Sequence, residues 1–399
     1  MVGSLTKTFT GSAVMQLRDR GLLALDDPVA LHLPELQVRE GLAPVTLRRL
    51  LSHESGLTSE PPGSDWGAGI YTTFAEWLPC LDRIGIVIPP NTQSKYSNLG
   101  YQLLGEVVAR VSGQPYPEYV SEHILRPLGM SSTTFTAYVG GHERRAVGYA
   151  PATFSDEFRP ARQVRGLGAE GGLWSNVDDL SRWLALQLRG EAGDDEAGSV
   201  LSPATLAEMH TARYLVDPVW SEACGISWFS LRQRETIWVG HSGSVYGFMC
   251  YAGFVPAEKL GVIVLLNGVA DATELALQLG EIARSEVRSV PPAAPPLPPP
   301  GAVHDLLGLY CCEDWGYLLR IEWRDGALRA LHARDHGLQR TLMPGTEPDR
   351  FVVDSGRDAG EPAVFLRAED GRMLGLRLAF TSYTRLGSLS QAPPKQTGS

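Results

Sequence analysis

Lysine is scarce in this chain of 399 residues, which contains only four lysines: Lys7, Lys95, Lys259 and Lys395. The 35 basic residues are therefore mostly arginines, and 45 acidic residues give a formal net charge of −10. No cluster of basic residues offsets this acidic balance. The composition therefore argues against a protein that binds nucleic acid.

Cysteine is also rare, and no apolar run is long. The five cysteines form no C-x-x-C pair, which favours buried free thiols over a disulfide framework or a zinc site. No apolar run reaches the roughly 18 residues that a membrane span requires. No export signal is found, so the sequence leaves the compartment open. It implies no metal and no organic cofactor.

The N-terminal segment contains a serine one helical turn before a lysine. Helical spacing of apolar residues begins directly after Ser4, so the side chains of Ser4 and Lys7 should share one helix face. A lysine can activate a serine hydroxyl if burial lowers the pKa of its amine. The alternative is a serine that only caps the helix, beside a solvated lysine.

Periodicity predicts an α+β first domain and an all-β second one. Helical spacing covers residues 5–21, 45–51, 74–84, 99–111, 115–130, 177–188 and 272–288. Strand patterns cover residues 225–231, 236–240, 247–255 and 260–267. Seven prolines in residues 291–300 indicate a stiff linker, assigned to 289–301. Beyond it, short strands predict a small barrel or sandwich at 306–310, 317–323, 327–332, 350–353, 363–367 and 373–380.

Two further short motifs follow the first along the chain. Tyr96-x-Asn98 precedes a predicted helix, and His241-Ser242-Gly243 follows a predicted strand. Each motif alone has a structural interpretation. Tyr-Ser-Asn can be a turn that caps a helix, and a histidine beside glycines can simply hold a loop. His53 and Glu54 are interpreted as part of a helix-end turn.

Taken together and in this order, the three motifs resemble those of the serine β-lactamase and penicillin-binding-protein superfamily. The similarity covers residues 1–288 and is greatest to the class C-type branch, which includes esterases, D-aminopeptidases and D-alanyl-D-alanine carboxypeptidases. The resemblance implies an antiparallel sheet flanked by helices, with a helical subdomain. Residues 302–388 resemble the lipocalin-like β domains appended to such hydrolases. The tail, 389–399, is expected to be disordered.

The resemblance assigns the catalytic roles. It implies that Ser4 is the nucleophile and forms an acyl-enzyme. Lys7 and Tyr96 would share proton transfer, with nearby positive charge favouring the Tyr96 phenolate. The backbone N–H groups of Ser4 and Ser244 would form the oxyanion hole.

The resemblance also assigns the groups that bind substrate. Asn98 would hydrogen-bond the substrate and orient Lys7. His241, Ser242 and Gly243 would bind the substrate along a strand. His241 stands where many members of the family have a lysine and carries at most partial charge at neutral pH. We therefore expect weak recognition of a substrate carboxylate. Glu170 is placed near the rim of the site without a named role.

The expected function is hydrolysis of a small ester or of a peptide or amide of D-amino acids. D-alanyl-D-alanine carboxypeptidase and β-lactamase activities are alternatives, and so is a catalytically silent homologue that binds small ligands. A second expectation concerns the sheet, because the family has a helix and two strands before its serine and this chain lacks them. The apolar strand at 260–266 should then leave one edge bare.

Overall fold

The chain forms two compact units, Met1–Ser289 and Val290–Ser399. The computed structural model describes residues 1–38, 45–65, 68–135, 145–151, 158–161, 166–191, 200–217, 219–233, 236–289, 300–312, 317–324, 326–332, 339–354, 358–379 and 381–387. Most of the proline-rich linker and the whole of the predicted tail lie outside these ranges.

The first unit contains nine α-helices within the described residues: α1 (Thr6–Asp19), α2 (Val29–His32), α3 (Leu47–Leu51), α4 (Phe74–Trp77), α5 (Asn98–Ser112), α6 (Tyr116–Val120), α7 (Val177–Gln187), α8 (Pro203–His210) and α9 (Ala272–Ser289). Two predicted helices are shorter than expected. The helix predicted at 74–84 changes to a 3₁₀ segment, Leu78–Arg83, where Pro79 follows α4. The helix predicted at 115–130 passes into a π-turn, Ser121–Leu125.

Its strands form a hairpin, β1 (Tyr149–Pro151) and β2 (Phe158–Pro160), and one antiparallel sheet in the order β3 (Tyr214–Leu215), β4 (Glu222–Cys224), β5 (Phe229–Gln233), β6 (Thr236–Val245), β7 (Phe248–Val255) and β8 (Leu260–Leu266). Strands β3 and β4 were not predicted, and the strand predicted at 225–231 begins earlier than β5. Residues before β5 form a tight turn, in which Gly225 N–H donates to Trp228 O and Ser227 has a φ of 63°.

Helices cover both faces of the sheet, as the α+β prediction requires. Val264 of β8 packs with Ala272 and Ala276 of α9 on one face. On the other face, Gly261 approaches Leu184 of α7. One edge of β8 pairs with β7, and no strand pairs with its other edge within the residues that the structure describes.

Helix α1 is buried within the first unit and carries Lys7 of the first motif, while Ser4 lies just before it. Its residues from Thr6 to Leu17 are all buried. Phe9 stacks on Trp183 of α7, with ring centroids 4.0 Å apart. Tyr116 bonds to the Thr10 hydroxyl at 2.7 Å, which fixes the helix from another side. Burial on all sides holds the start of α1 in one position, as a catalytic group requires.

The second unit is a closed antiparallel barrel of eight strands, β9 (Gly308–Cys312), β10 (Tyr317–Arg324), β11 (Ala327–His332), β12 (Gln339–Pro344), β13 (Arg350–Val353), β14 (Pro362–Arg367), β15 (Met373–Leu378) and β16 (Thr381–Gly387). Strands β16 and β9 pair to close it. Strands β12 and β16 were not predicted from sequence. Tyr310, Ile321 and Phe365 fill its core together with other apolar side chains. Closure leaves none of the eight described strands with a free edge.

Candidate active site

Ser4 lies in a 3₁₀ turn, Gly3–Leu5, that continues directly into α1. The turn begins at Gly3, which has a φ of 49°, a conformation that favours glycine. Its carbonyl oxygen accepts a hydrogen bond of 2.7 Å from the Thr6 hydroxyl. The turn thus places Ser4 one helical turn before Lys7, as the sequence predicts.

Lys7 is fully buried and its amine has three hydrogen-bond partners. Its Nζ lies 3.1 Å from Ser4 Oγ, 2.7 Å from Asn98 Oδ1 and 2.6 Å from the backbone oxygen of Glu170. The three partners come from the turn that opens α1, from the start of α5 and from the segment before α7. The interpretation of Lys7 as a solvated surface lysine is therefore wrong.

Asn98 is held in one orientation by an acid on its other side. Its Nδ2 donates to Glu60 Oε1 at 2.8 Å. A carboxylate can only accept, and the Lys7 amine donates, so the amide oxygen of Asn98 must face Lys7. Ser97 fixes the same turn, because its hydroxyl accepts from Gly100 N–H at 3.0 Å and caps α5. The capping interpretation and the site interpretation of this motif are thus compatible.

This set of partners gives Lys7 the geometry of a base. Two of the partners are carbonyl oxygens, which only accept, so they engage two N–H bonds of the amine. In a neutral amine these two bonds would leave the lone pair free to accept from the Ser4 hydroxyl, whose Oγ is 3.1 Å away. Burial lowers the pKa of Lys7 far below its usual range, while the acids Glu170 and Glu60 oppose this shift.

Tyr96 is placed beside Ser4 and Lys7. Its side chain lies next to that of Ser4, and its ring centroid lies 4.9 Å from Lys7 Nζ. His53 stacks on the other side of the ring at 4.3 Å and accepts from Ser97 N–H at 3.2 Å. These contacts give His53 a positioning role in the site.

Burial opposes the Tyr96 phenolate that the resemblance implies. Burial raises the pKa of Tyr96 well above its usual value, and the hydrogen bond from Ser4 opposes the shift without cancelling it. Tyr96 is therefore a neutral phenol here, because burial of an uncompensated phenolate is unfavourable. As a phenol it can donate and accept a hydrogen bond.

The third motif lies within β6, which continues to Val245 instead of ending at Gly240 as predicted. Gly243 lies against the backbone just before Ser4, since a Cβ on it would be 2.0 Å from Val2 O. A Cβ on Gly3 would be 2.8 Å from Ser244 N. The amide of Ser244 is thus next to the turn that carries Ser4.

His241 is a neutral imidazole in this site. It is buried, and burial together with the charge of Lys7 lowers its pKa to about 3. Its Nδ1 lies 2.6 Å from Ser242 O, which fixes Nδ1 as the protonated nitrogen because a carbonyl only accepts. His241 therefore supplies no positive charge, in line with the expectation from sequence.

Two acids near Lys7 were not assigned a role from sequence. Glu170 is buried; its Oε1 accepts from Gly168 N–H at 2.9 Å, and its Oε2 has no hydrogen-bond partner among the described residues. Burial raises the pKa of Glu170. Glu60, which bonds Asn98, was missed. The resemblance placed Glu170 only near the rim of the site, and Glu60 belongs to no spaced motif that could have indicated it.

A cavity of about 560 Å³ opens in front of Ser4 and Tyr96. Its lining includes Ser4, Tyr96, His241, Ser242 and Ser244. The volume fits a small molecule or a short peptide segment.

The described residues contain no cluster of His, Cys, Asp and Glu able to hold a metal ion. None of the described helices is long and apolar enough to cross a membrane.

Known proteins that are similar to this chain over most of its length include a D-alanyl-D-alanine carboxypeptidase and a penicillin-binding protein homologue. Escherichia coli (strain K12) D-alanyl-D-alanine-carboxypeptidase/endopeptidase AmpH is 27% identical over 283 residues, which cover 67% of this chain and 70% of AmpH. The octameric penicillin-binding protein homologue from Pyrococcus abyssi superposes with a TM-score of 0.59 at 26% identity, over 96% of this chain and 87% of its own. A D-stereospecific amidohydrolase from Streptomyces sp. gives a TM-score of 0.59 at 25% identity, over 70% of this chain and 85% of its own.

Residues 1–284 match the sequence profile of one family, described as Beta-lactamase. The match includes the Ser4, Lys7, Tyr96, Asn98 and His241 positions whose geometry is given above. This chain therefore belongs to the Beta-lactamase family.

Proposed function

We propose that the protein is a serine hydrolase that works through a covalent acyl-enzyme on Ser4. The observation that carries this proposal is the position of Lys7 Nζ, which lies within hydrogen-bond distance of Ser4 Oγ and of two carbonyl oxygens. When the amine is neutral, its two N–H bonds serve the carbonyl oxygens and its lone pair can take the Ser4 proton. A protein that only bound a ligand would have no need for a buried amine in this arrangement. Burying an amine without an activating role is energetically costly.

The chemistry follows from these contacts. Ser4 Oγ attacks the carbonyl carbon of the substrate as its proton passes to Lys7 Nζ. The tetrahedral intermediate then expels the leaving group, which takes the proton from Lys7 with Tyr96 as a relay. In the second half, water gives a proton to Lys7 and attacks the acyl carbon, and the proton returns to Ser4 Oγ. The sum is one water consumed per bond cleaved.

The developing oxyanion needs donors that are already in place. We assign this role to the backbone N–H groups of Ser4 and Ser244, since the Ser244 amide lies beside Gly3. The edge of β6 at Ser242 and Gly243 would bind the substrate backbone as an added strand. Beyond Gly240, which pairs with Phe229, no described β5 residue pairs with this part of β6.

The substrate class is proposed from the relatives and from the charge of the site. AmpH and the Streptomyces enzyme bear names that denote carboxypeptidase and D-stereospecific amidohydrolase activities. A small ester or a D-amino-acid amide is our first proposal, because the neutral His241 offers no cation to a substrate carboxylate. D-alanyl-D-alanine carboxypeptidase and β-lactamase activities remain the alternatives. The barrel is proposed to be a lipocalin-like accessory domain.

Turnover of an ester, an amide, a peptide and a β-lactam separates these possibilities. The substrates are p-nitrophenyl acetate, D-alanine p-nitroanilide, diacetyl-L-lysyl-D-alanyl-D-alanine and nitrocefin. We expect the ester or the D-alanine amide to be cleaved, and the activity to be lost in Ser4→Ala. A protein that cleaves only the D-alanyl-D-alanine peptide or nitrocefin would favour the alternatives. If folded protein cleaved none of the four substrates, the result would favour a catalytically silent homologue.

Glu170 should tune the pH dependence of this reaction. The titratable groups that face Lys7 are Glu170, Glu60, His53, His241, Tyr96 and Tyr101. Burial keeps the two histidines and the two tyrosines neutral, so the two acids are the charges that raise the pKa of Lys7. Activity needs the neutral amine and is lost as pH falls through that pKa.

We therefore expect Glu170→Gln to move the acidic limb of the kcat/KM profile to lower pH, by up to about one unit. The glutamine side chain keeps an acceptor oxygen for the Gly168 amide, so the loop should be preserved. Glu54→Gln, at an acid that bonds Ser52 instead of Lys7, is the control and should leave the limb in place. A limb that moves to higher pH in Glu170→Gln would contradict this role.

A further inference from the structure

The cavity in front of Ser4 contains a carboxylate that the proposed reaction does not use. Glu222 of β4 lines this cavity. It pairs with Leu231 of β5, whose side chain packs towards α9, so Glu222 lies on that same face of the sheet. Among the lining residues that the structure describes, Glu222 is the only acidic one. It is placed to meet a substrate that extends from Ser4 along β6.

No cation among the described lining residues balances Glu222. The described lining contains no lysine or arginine, and its one imidazole, His241, is neutral. Neither an ion pair nor a side-chain hydrogen bond joins the Glu222 carboxylate to another described residue. Burial and the charge of Asp217 raise the pKa of Glu222, as expected for an acid without a cationic partner.

The other source of positive potential along the described lining is the start of α9, which reaches the cavity at Thr273. The partial charge of a helix N-terminus attracts anions. Here Asp271 already caps the helix, because its Oδ1 accepts from Glu274 N–H at 2.9 Å. A substrate carboxylate would thus meet Glu222 without a free cation to compensate for the repulsion.

We infer that the substrate of this site carries a positive charge, as an amine or a quaternary ammonium group, and that Glu222 binds it. This inference rests on the proposed function. The rings of Phe229 and Tyr251 line the same cavity and suit the apolar part of such a cation. The negative charge of Glu222 also disfavours a substrate that would place a free carboxylate beside it. Glu222 is thus a specificity-determining residue and takes no part in proton transfer at Ser4.

Two matched pairs of esters test the inference. The first places the charge in the leaving group and compares acetylthiocholine with its neutral isostere, 3,3-dimethylbutyl thioacetate. The second places it in the acyl group and compares the p-nitrophenyl esters of 4-(trimethylammonio)butanoate and 5,5-dimethylhexanoate. Within each pair, trimethylammonium and tert-butyl groups have nearly the same shape, so a difference in kcat/KM reports charge. The variants are Glu222→Gln and, as a control, Glu274→Gln at an exposed acid outside the lining.

We expect at least one pair to show a preference of about tenfold or more for the cation. Glu222→Gln should reduce that preference to about one while the neutral ester is cleaved within about twofold of the original rate, which also shows that the variant is folded. Glu274→Gln should keep the preference, since exposed charges are screened.

Two results would overturn the inference while leaving the proposed function intact. One is cleavage of the neutral esters with no preference for the cation in either pair. The other is a preference that survives in Glu222→Gln. Failure to cleave any of the four esters would instead contradict the proposed ester hydrolysis, and the assignment of Glu222 with it.

Discussion

Replacement of Lys7 by methionine should lower kcat/KM by about 10³-fold, the range expected when a general base is lost. Methionine has a similar length and no polar atom, so it fills the buried space of Lys7 but cannot accept the Ser4 proton. Its removal leaves Asn98 Oδ1 and the backbone oxygen of Glu170 without their donor. Steady-state hydrolysis of the best ester gives the measurement.

The matched control is Lys259→Met. Lys259 is one of only four lysines in the chain and is exposed in the turn after β7. Its replacement should leave kcat/KM unchanged within about twofold. Circular dichroism and thermal melting of both variants check the fold. A well-folded Lys7→Met protein that kept its activity would show that another group, such as Tyr96, takes the proton.

Replacement of Gly243 by alanine should lower kcat/KM by about 100-fold and the free energy of unfolding by about 1–3 kcal/mol. The new Cβ would lie 2.0 Å from Val2 O and 2.7 Å from Cys250 Sγ. Backbone cannot yield as a flexible side chain does. Relief of the clash must therefore move β6 away from the turn that carries Ser4, and with it the Ser244 amide.

Gly268→Ala is the control for this prediction. Gly268 follows β8, and a Cβ there would have no described atom within 4 Å. This variant should keep both activity and stability, measured by ester hydrolysis and by urea unfolding. Full activity in Gly243→Ala would mean that the close approach of β6 to Ser4 is not required for the reaction.

Local spacing in the sequence was enough to predict the core of the site. Ser4 and Lys7 are three residues apart on one helical turn, so their contact needs no information about the rest of the fold. Tyr96 and Asn98 flank a serine that caps a helix, which is also a local pattern. That these two segments meet in one site was predicted only from the resemblance to a known family.

The parts that were missed depend on contacts between distant segments. Residues 241–244 resemble a turn by composition, yet they form strand because pairing with β7 overrides their weak strand preference. The backbone of Glu170 meets Lys7 across 163 residues of sequence. The high pKa of Tyr96 follows from burial, which a short motif does not reveal.

The most direct test of the account is the intact mass of the protein after exposure to a fluorophosphonate, with Ser4→Ala treated in parallel. We expect one adduct, mapped by peptide mass to Ser4 and absent from Ser4→Ala, because only an activated serine reacts at a useful rate. Lys7→Met should label far more slowly. The absence of an adduct on folded protein, or an adduct that persists in Ser4→Ala, would contradict the assignment of Ser4 as the nucleophile.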